Sequence, residues 1–364
     1  MHWDAIWEGM TVWKHPIAMT LAILLIIAAA VPAAKAAPCM TVTLTGTQSG
    51  PAVFKGTAGA GTLVRYGDDS NNCDALRLQF DAGRGTNMRL SQVGVPLGRI
   101  NAIFFTHMHT DHTEGFADIM QVRWSYESTG PKLDVVCSND AKSPLGFTIS
   151  CTKFIAHVGD AFVESGEIAQ RHAEDNNRPI GGPAVIANLI TFDPKNEPQV
   201  VWSKGDVKVS AIRSTHIPGH ASYRVDTPAG SVVIGGDAGN DKFAPPRATS
   251  TSEQVELLAK GVEIIVHSTM HPVMAPDKGS GMPAPIYYRQ SSTTDLGAMA
   301  KRVNAKILML THLGPSIGAD RQGIWPIPGG PLTEASFRQA AQDGGFTGQI
   351  IVGTDLASVR LPAK

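Results

Sequence analysis

The stretch Thr106-His107-Met108-His109-Thr110-Asp111-His112 constrains this chain more than any other. Three histidines and a carboxylate fall within the six residues from His107 to His112. Asn101 to Phe105, before it, is an apolar run of strand length. Gly115 to Tyr126, after it, places Phe116, Ile119, Met120 and Arg123 at helical spacing. The cluster therefore sits on a strand-to-helix turn. Imidazole and carboxylate together suit Zn²⁺ or a similar divalent ion. His107 and His109, two apart in an extended segment, point to one side, and Asp111 and His112 follow one step on, placed for a second ion.

Residues of the same type recur where other apolar strands end. Val207 to Ser214 runs into Thr215-His216. Ser222 to Thr227 and Ser231 to Ile234 form a hairpin closed by Gly235-Gly236-Asp237-Ala238. Glu263 to Val266 ends at His267, and Lys306 to Leu310 ends in Thr311-His312. Further strands are predicted at Met40 to Leu44, Leu63 to Tyr66, Leu76 to Phe80, Leu133 to Cys137 and Gln349 to Val352. Helices are predicted at Leu90 to Val93, Val158 to Asp175, Glu253 to Lys260, Thr294 to Val303 and from Phe337. The pattern implies an α/β sandwich of two sheets flanked by helices, with a site along one edge. Phe154 to Val201 reads as an insertion that shapes substrate access.

His-x-His-x-Asp-His after an apolar strand resembles the signature of the metallo-β-lactamase superfamily. Asp81-Ala82-Gly83-Arg84-Gly85-Thr86 resembles its Asp-x-Gly-x-Gly-Thr turn, whose aspartate ties loops beneath the metals. The resemblance implies a four-layer αββα sandwich of two mixed sheets, and two divalent ions, Zn²⁺ or else Mn²⁺. His107, His109 and His216 would hold the first ion, and Asp111, His112 and His312 the second, with Asp237 bridging. His216 is favoured over His220, four residues on, because Tyr223-Arg224 follow it at the spacing of the ribonuclease Z-like branch. A water shared by the ions would lose a proton near neutral pH and act as nucleophile, oriented by Asp111. His267 matches an extra histidine of the ribonuclease Z and arylsulfatase-like branches, placed to donate a proton or bind an oxyanion.

No cysteine stands where Asp237 does, so the resemblance disfavours β-lactam hydrolysis. Ile351 to Leu356 and the block from His107 to Trp124 look like the secreted, arylsulfatase-like branch. The expected activity is hydrolysis of small-molecule sulfate or phosphate esters, without nucleic acid. The alternatives are a ribonuclease Z-like phosphodiesterase, a lactonase, and a periplasmic metal-binding protein that never turns over.

The 364 residues carry a formal net charge of −1, and no dense Lys/Arg cluster marks the insertion. Ile17 to Val31 is almost wholly apolar and is followed by Ala34-Lys35-Ala36, the pattern of a cleaved leader. Residues 1–36 are therefore expected to be a signal peptide, residues 37–364 a periplasmic or secreted hydrolase domain without a stable membrane anchor. A homodimer is left open. In an oxidising compartment, four cysteines allow two disulfides. Of three pairings, the nearest-neighbour one is expected: Cys39 with Cys73, and Cys137 with Cys151.

Overall fold

A computed structural model describes residues 36–363, so the predicted leader falls almost wholly outside the described residues. Two seven-stranded sheets face each other. Their strands in chain order are β1 (Pro38–Gly46), β2 (Gly61–Asp68), β3 (Leu76–Phe80), β4 (Ala102–Phe104), β5 (Leu133–Ser138), β6 (Ala187–Phe192), β7 (Gln199–Lys204), β8 (Val207–Arg213), β9 (Ala221–Thr227), β10 (Gly230–Ile234), β11 (Ile264–Met270), β12 (Ile307–Gly314), β13 (Gln349–Val352) and β14 (Ser358–Leu361). The first sheet runs β14-β1-β2-β3-β4-β5-β6, the second β13-β12-β11-β10-β9-β8-β7. In both, one half is antiparallel and the other parallel.

Alternation explains the layers. In β4, Ala102 and Phe104 face the opposite sheet, while Ile103 turns to the helices. In β12, Ile307 and Met309 face inward, while Leu308 and Leu310 meet the helices. The helices Thr86–Gln92, Phe116–Glu127 and Cys151–Ala156 cover the first sheet; Glu253–Leu258, Thr293–Arg302 and Glu334–Asp343 cover the second. The result is the expected four-layer αββα sandwich of the metallo-β-lactamase fold.

Behind the histidine-rich turn the sheets are bolted together. Phe80 and Phe104 stack with centroids 4.6 Å apart, and Tyr223 of β9 lies against both. The wholly buried Tyr223 hydroxyl needs a partner; it donates to the Phe105 carbonyl at 2.7 Å, across the sandwich. Both expected disulfides are present, Cys39–Cys73 and Cys137–Cys151. The second ties β5 to the helix that begins at Cys151.

The segment 154–201 departs from the expectation. The single helix over Val158 to Asp175 is two short ones, Asp160–Glu164 and Glu167–Glu174, because Gly159 and Gly166 adopt positive φ before each. The remainder supplies an edge strand to each sheet, β6 and β7, so much of it is scaffold. No helix among the described residues is long and apolar enough to cross a membrane.

Candidate metal centre

The turn after β4 is held from below by one carboxylate. Asp81 sits in the left-handed region, φ 54°. Its Oδ1 accepts from the Thr106 backbone N–H, and its Oδ2 from the Thr106 hydroxyl, both at 2.8 Å. The same Oδ2 accepts from His112 Nδ1–H at 2.8 Å. That bond aims His112 Nε2 away from Asp81 toward the other donors, where it is buried and without a hydrogen-bond partner. Asp81 therefore plays the loop-tying part that the resemblance implies.

His107 is oriented by the same logic. The Thr106 hydroxyl donates to Asp81, so His107 Nδ1–H donates to it, at 3.0 Å. His107 Nε2 is then a lone pair lying 2.9 Å from His109 Nδ1. Two imidazole nitrogens that close share a hydrogen bond here and could share one cation. His216 completes a group of three with them, and both its ring nitrogens are buried without partners. Burial pushes the His216 imidazole down to about 3 and holds His107 well below its ordinary value, so both are neutral donors.

The second group is Asp111, His112 and His312. His312 leaves β12 at a bulge: pairing with β11 shifts between Ser268 and Thr269, and His312 takes φ 44°. Its Nε2 lies 3.0 Å from Asp111 Oδ2. Asp237 stands between the groups. Its Oδ2 has His312 Nε2 at 3.3 Å, His112 Nε2 at 3.5 Å and His216 Nε2 at 3.7 Å, while Oδ1 is buried without a partner. Burial alone would raise the Asp237 carboxyl, but the His312 and His112 imidazoles outweigh it and hold it well below the carboxylate range. Burial would raise Asp111 too; the His312 hydrogen bond brings it to about 2. Conversely, Asp237 and Asp81 overcome burial to raise His112. Buried imidazoles and carboxylates, several of them orphaned and converging in two sets around one shared oxygen, fit two divalent cations.

His220 falls out of the donor set. Its Nδ1 hydrogen-bonds the Ser214 hydroxyl at 2.8 Å and its Nε2 accepts from the Asp237 backbone N–H at 3.2 Å, so both nitrogens are spent holding the loop. Gly236 makes that loop possible: at φ +60° a Cβ there would lie 2.9 Å from Thr106 Cβ and 3.0 Å from His220 Nε2. His267 stands apart from the donor set, with its Nε2 buried and without a partner. It lies within β11, not at its end, and is 0 % exposed. Its Nδ1–H donates to the Ser268 carbonyl, its ring packs against Gly235, and it is absent from the cavity wall.

The cavity over the donors has a volume of about 650 Å³. His109, Asp111, His216, Asp237 and His312 form its floor. Met108, Met270, Met282, Ile286, Ile324 and Trp325 make much of the wall apolar, with Arg289 and Gln290 beside them. None of residues 154–201 lines it, but Asp193 and Pro194 line a neighbouring cavity that shares His216 with it. His172, on the segment, instead hydrogen-bonds the Arg178 carbonyl. Arg289, Gln290 and the short hairpin Arg321–Gln322/Trp325–Pro326 were not foreseen from the sequence; no spacing or motif marks them.

Comparison with known proteins adds the following. A family model described as Anti-Pycsar protein Apyc1 matches residues 53–148. Ribonuclease Z of Mycobacterium bovis (strain BCG / Pasteur 1173P2) is 25% identical over 328 residues, covering 88% of this chain and 98% of its own length. Ribonuclease Z of Mycobacterium sp. (strain KMS) is 27% identical over 325 residues, covering 88% and 95%. Among solved structures, the metallo-β-lactamase fold protein YhfI from Bacillus subtilis has a TM-score of 0.56 at 15% identity, covering 88% of this chain and 99% of its own. Human tRNase Z, short form, has 0.54 at 16% identity, with the same coverage.

These relatives overturn two expectations, the exported arylsulfatase-like activity and the small-molecule ester without nucleic acid, because the proteins matched over most of the chain are ribonucleases. The structure shows what misled. The arylsulfatase-like ending, Ile351 to Leu356, is scaffold: Asp355 accepts from Thr47 Oγ1, the Ala58 N–H and Arg89 Nε, away from the cavity wall. Trp124 is wholly buried, its indole N–H donating to the Pro179 carbonyl. Neither Asp355 nor Trp124 lines the cavity. Motif, fold and relatives agree on a ribonuclease Z-like, metal-dependent hydrolase of ester bonds with the metallo-β-lactamase fold.

Proposed function

We propose that this protein is a dinuclear-metal phosphodiesterase that cleaves RNA in the manner of its ribonuclease Z relatives. The observation that carries the reading is the placement of Asp237 Oδ2 among three imidazole nitrogens at 3.3–3.7 Å, with a donor trio on either side. His107, His109 and His216 would hold one ion, Asp111, His112 and His312 the other, and Asp237 both. The nitrogen-rich donor set favours zinc. Two such ions supply an activated water near neutral pH and neutralise the phosphoryl oxygens.

The chain's own residues do the rest. Asp81 and Thr106 hold the imidazoles of His112 and His107 in the tautomers that present Nε2. Asp111 is at hand in the floor to orient the attacking water. The apolar wall, with Trp325, suits the flat face of an unpaired base beside the scissile phosphate. The test is turnover of bis(p-nitrophenyl) phosphate and of an RNA with a 3′ extension by zinc-loaded protein, against p-nitrophenyl sulfate and a lactone. Phosphodiester cleavage, abolished by chelation and by Asp237→Ala, is expected. Turnover of the sulfate or lactone alone, or tight metal binding with no turnover at all, would overturn the reading.

A further inference from the structure

Among the described residues, the cavity wall holds one Lys or Arg side chain, Arg289. It forms no ion pair or side-chain hydrogen bond, and its Nε is buried without a partner. A half-buried guanidinium with an orphaned donor is costly unless a ligand satisfies it. Arg289 lines the same cavity as His109 and His216 of the floor.

The segment that carries it is fixed to the loop of Asp237. The wholly buried Ser291 donates its hydroxyl to the Ala238 carbonyl at 2.6 Å. Its own carbonyl accepts from the Met270 N–H at 2.9 Å. Gly239 allows the approach, because a Cβ there would lie 2.5 Å from the Arg289 carbonyl oxygen. On the other flank, Arg247 donates to the Tyr288 carbonyl at 2.8 Å and lies over the Tyr288 ring. The Arg289 backbone is thus placed relative to Asp237 before any substrate arrives.

The wall has a second property. Once the proposed metal ligands are set aside, its described residues include no Asp, Glu, His, Cys, Tyr or Lys. Beside the proposed ions, the Arg289 guanidinium is therefore the one fixed positive charge among the described wall residues.

We propose that Arg289 binds the non-bridging oxygens of the scissile phosphodiester and carries the charge that grows on them during cleavage. A guanidinium matches two phosphate oxygens with parallel N–H donors. In the step, a water oxygen bonds to phosphorus, the phosphorus–oxygen bond to the leaving alcohol breaks, and the electron pair goes to that oxygen. The attacking water gives up one proton and the leaving oxygen takes one from solvent, so a diester and water become a monoester and an alcohol. This inference rests on the phosphodiesterase reading above.

The test uses zinc-loaded wild type, Arg289→Ala and Arg289→Gln, checked for metal content and melting temperature. Calorimetry with diphenylphosphinate, which keeps two non-bridging oxygens but has no ester bond to break, reads binding without turnover; kcat/KM on bis(p-nitrophenyl) phosphate reads catalysis. Both variants are expected to keep their metals, to bind diphenylphosphinate at least about tenfold more weakly, and to lose ~10²–10³ in kcat/KM, the usual cost of one oxyanion donor. Added guanidinium ion should restore part of the Arg289→Ala activity. Metal-replete variants within about twofold of wild type in both readouts would overturn the inference while leaving the phosphodiesterase reading intact. A wild type inert on every phosphodiester would sink that reading, and the calorimetry would still decide whether Arg289 binds the anion.

Discussion

At the scale of single residues, the centre is a study in which nitrogen of each histidine is left free. Asp81 touches no substrate, yet it sets the His112 tautomer and anchors Thr106, which in turn sets His107. Asp81→Asn keeps the shape and removes the charge that the Nδ1–H points at. Loss of such an outer partner typically costs 10–100-fold in metal affinity. A chelator-competition titration should show that loss, and affinity equal to wild type would remove Asp81 from the support of the site. His216 and His220 make the complementary pair. His216→Ala should lower the zinc content per chain, whereas His220→Gln should retain both ions, because His220 spends both nitrogens on Ser214 and the Asp237 backbone. Elemental analysis after dialysis separates them; the reverse outcome would exchange their roles. His267 is expected to matter for packing alone. His267→Ala should lower the melting temperature and slow good and poor leaving groups to the same degree.

At the scale of elements, the two disulfides act through the loops they close. Cys39–Cys73 spans 34 residues and fastens β1 to the turn after β2, while Cys137–Cys151 spans 14 and fastens β5 to the following helix. Loop-closure entropy assigns roughly 4 kcal/mol to the first and roughly 3 kcal/mol to the second. Denaturant unfolding of the two paired Cys→Ser variants should therefore show the 39/73 pair as the costlier loss; no loss in either would mean the pairs do not form. What the sequence reveals follows the same division. The strand ends before His107, His216 and Asp237 are legible because each ligand follows an apolar run that must stop at the sheet edge; β12 instead runs two residues past His312. The same holds at His267, where β11 continues three residues further, because periodicity in an all-buried strand gives no sign of where pairing ends. β6 and β7 hide among polar and proline residues because edge strands bury little. Arg289 and Trp325 are invisible for a different reason: they reach the cavity through tertiary packing, which leaves no spacing behind.

At the scale of the whole molecule, the donors come from both sheets. His107, His109, Asp111 and His112 follow β4 of the first; His216, Asp237 and His312 follow or end strands of the second. Two cations held between these sets would clamp the open edge of the sandwich, where the Phe80, Phe104 and Tyr223 cluster already joins the sheets deeper in. Metal removal then has two costs. It discards binding energy that only the folded chain can collect, about 4 kcal/mol per ion when free metal is a thousandfold above Kd. It also leaves Asp111 and Asp237 buried, with only imidazoles to offset their charge. The metal-free protein should melt several degrees below the zinc-loaded one, and zinc should restore the difference. Asp237→Ala should melt nearly alike with and without zinc, since the shared donor is gone. A wild type stripped of metal that melts at the same temperature as the loaded form would show that the ions serve chemistry alone and that the edge is closed by the protein itself.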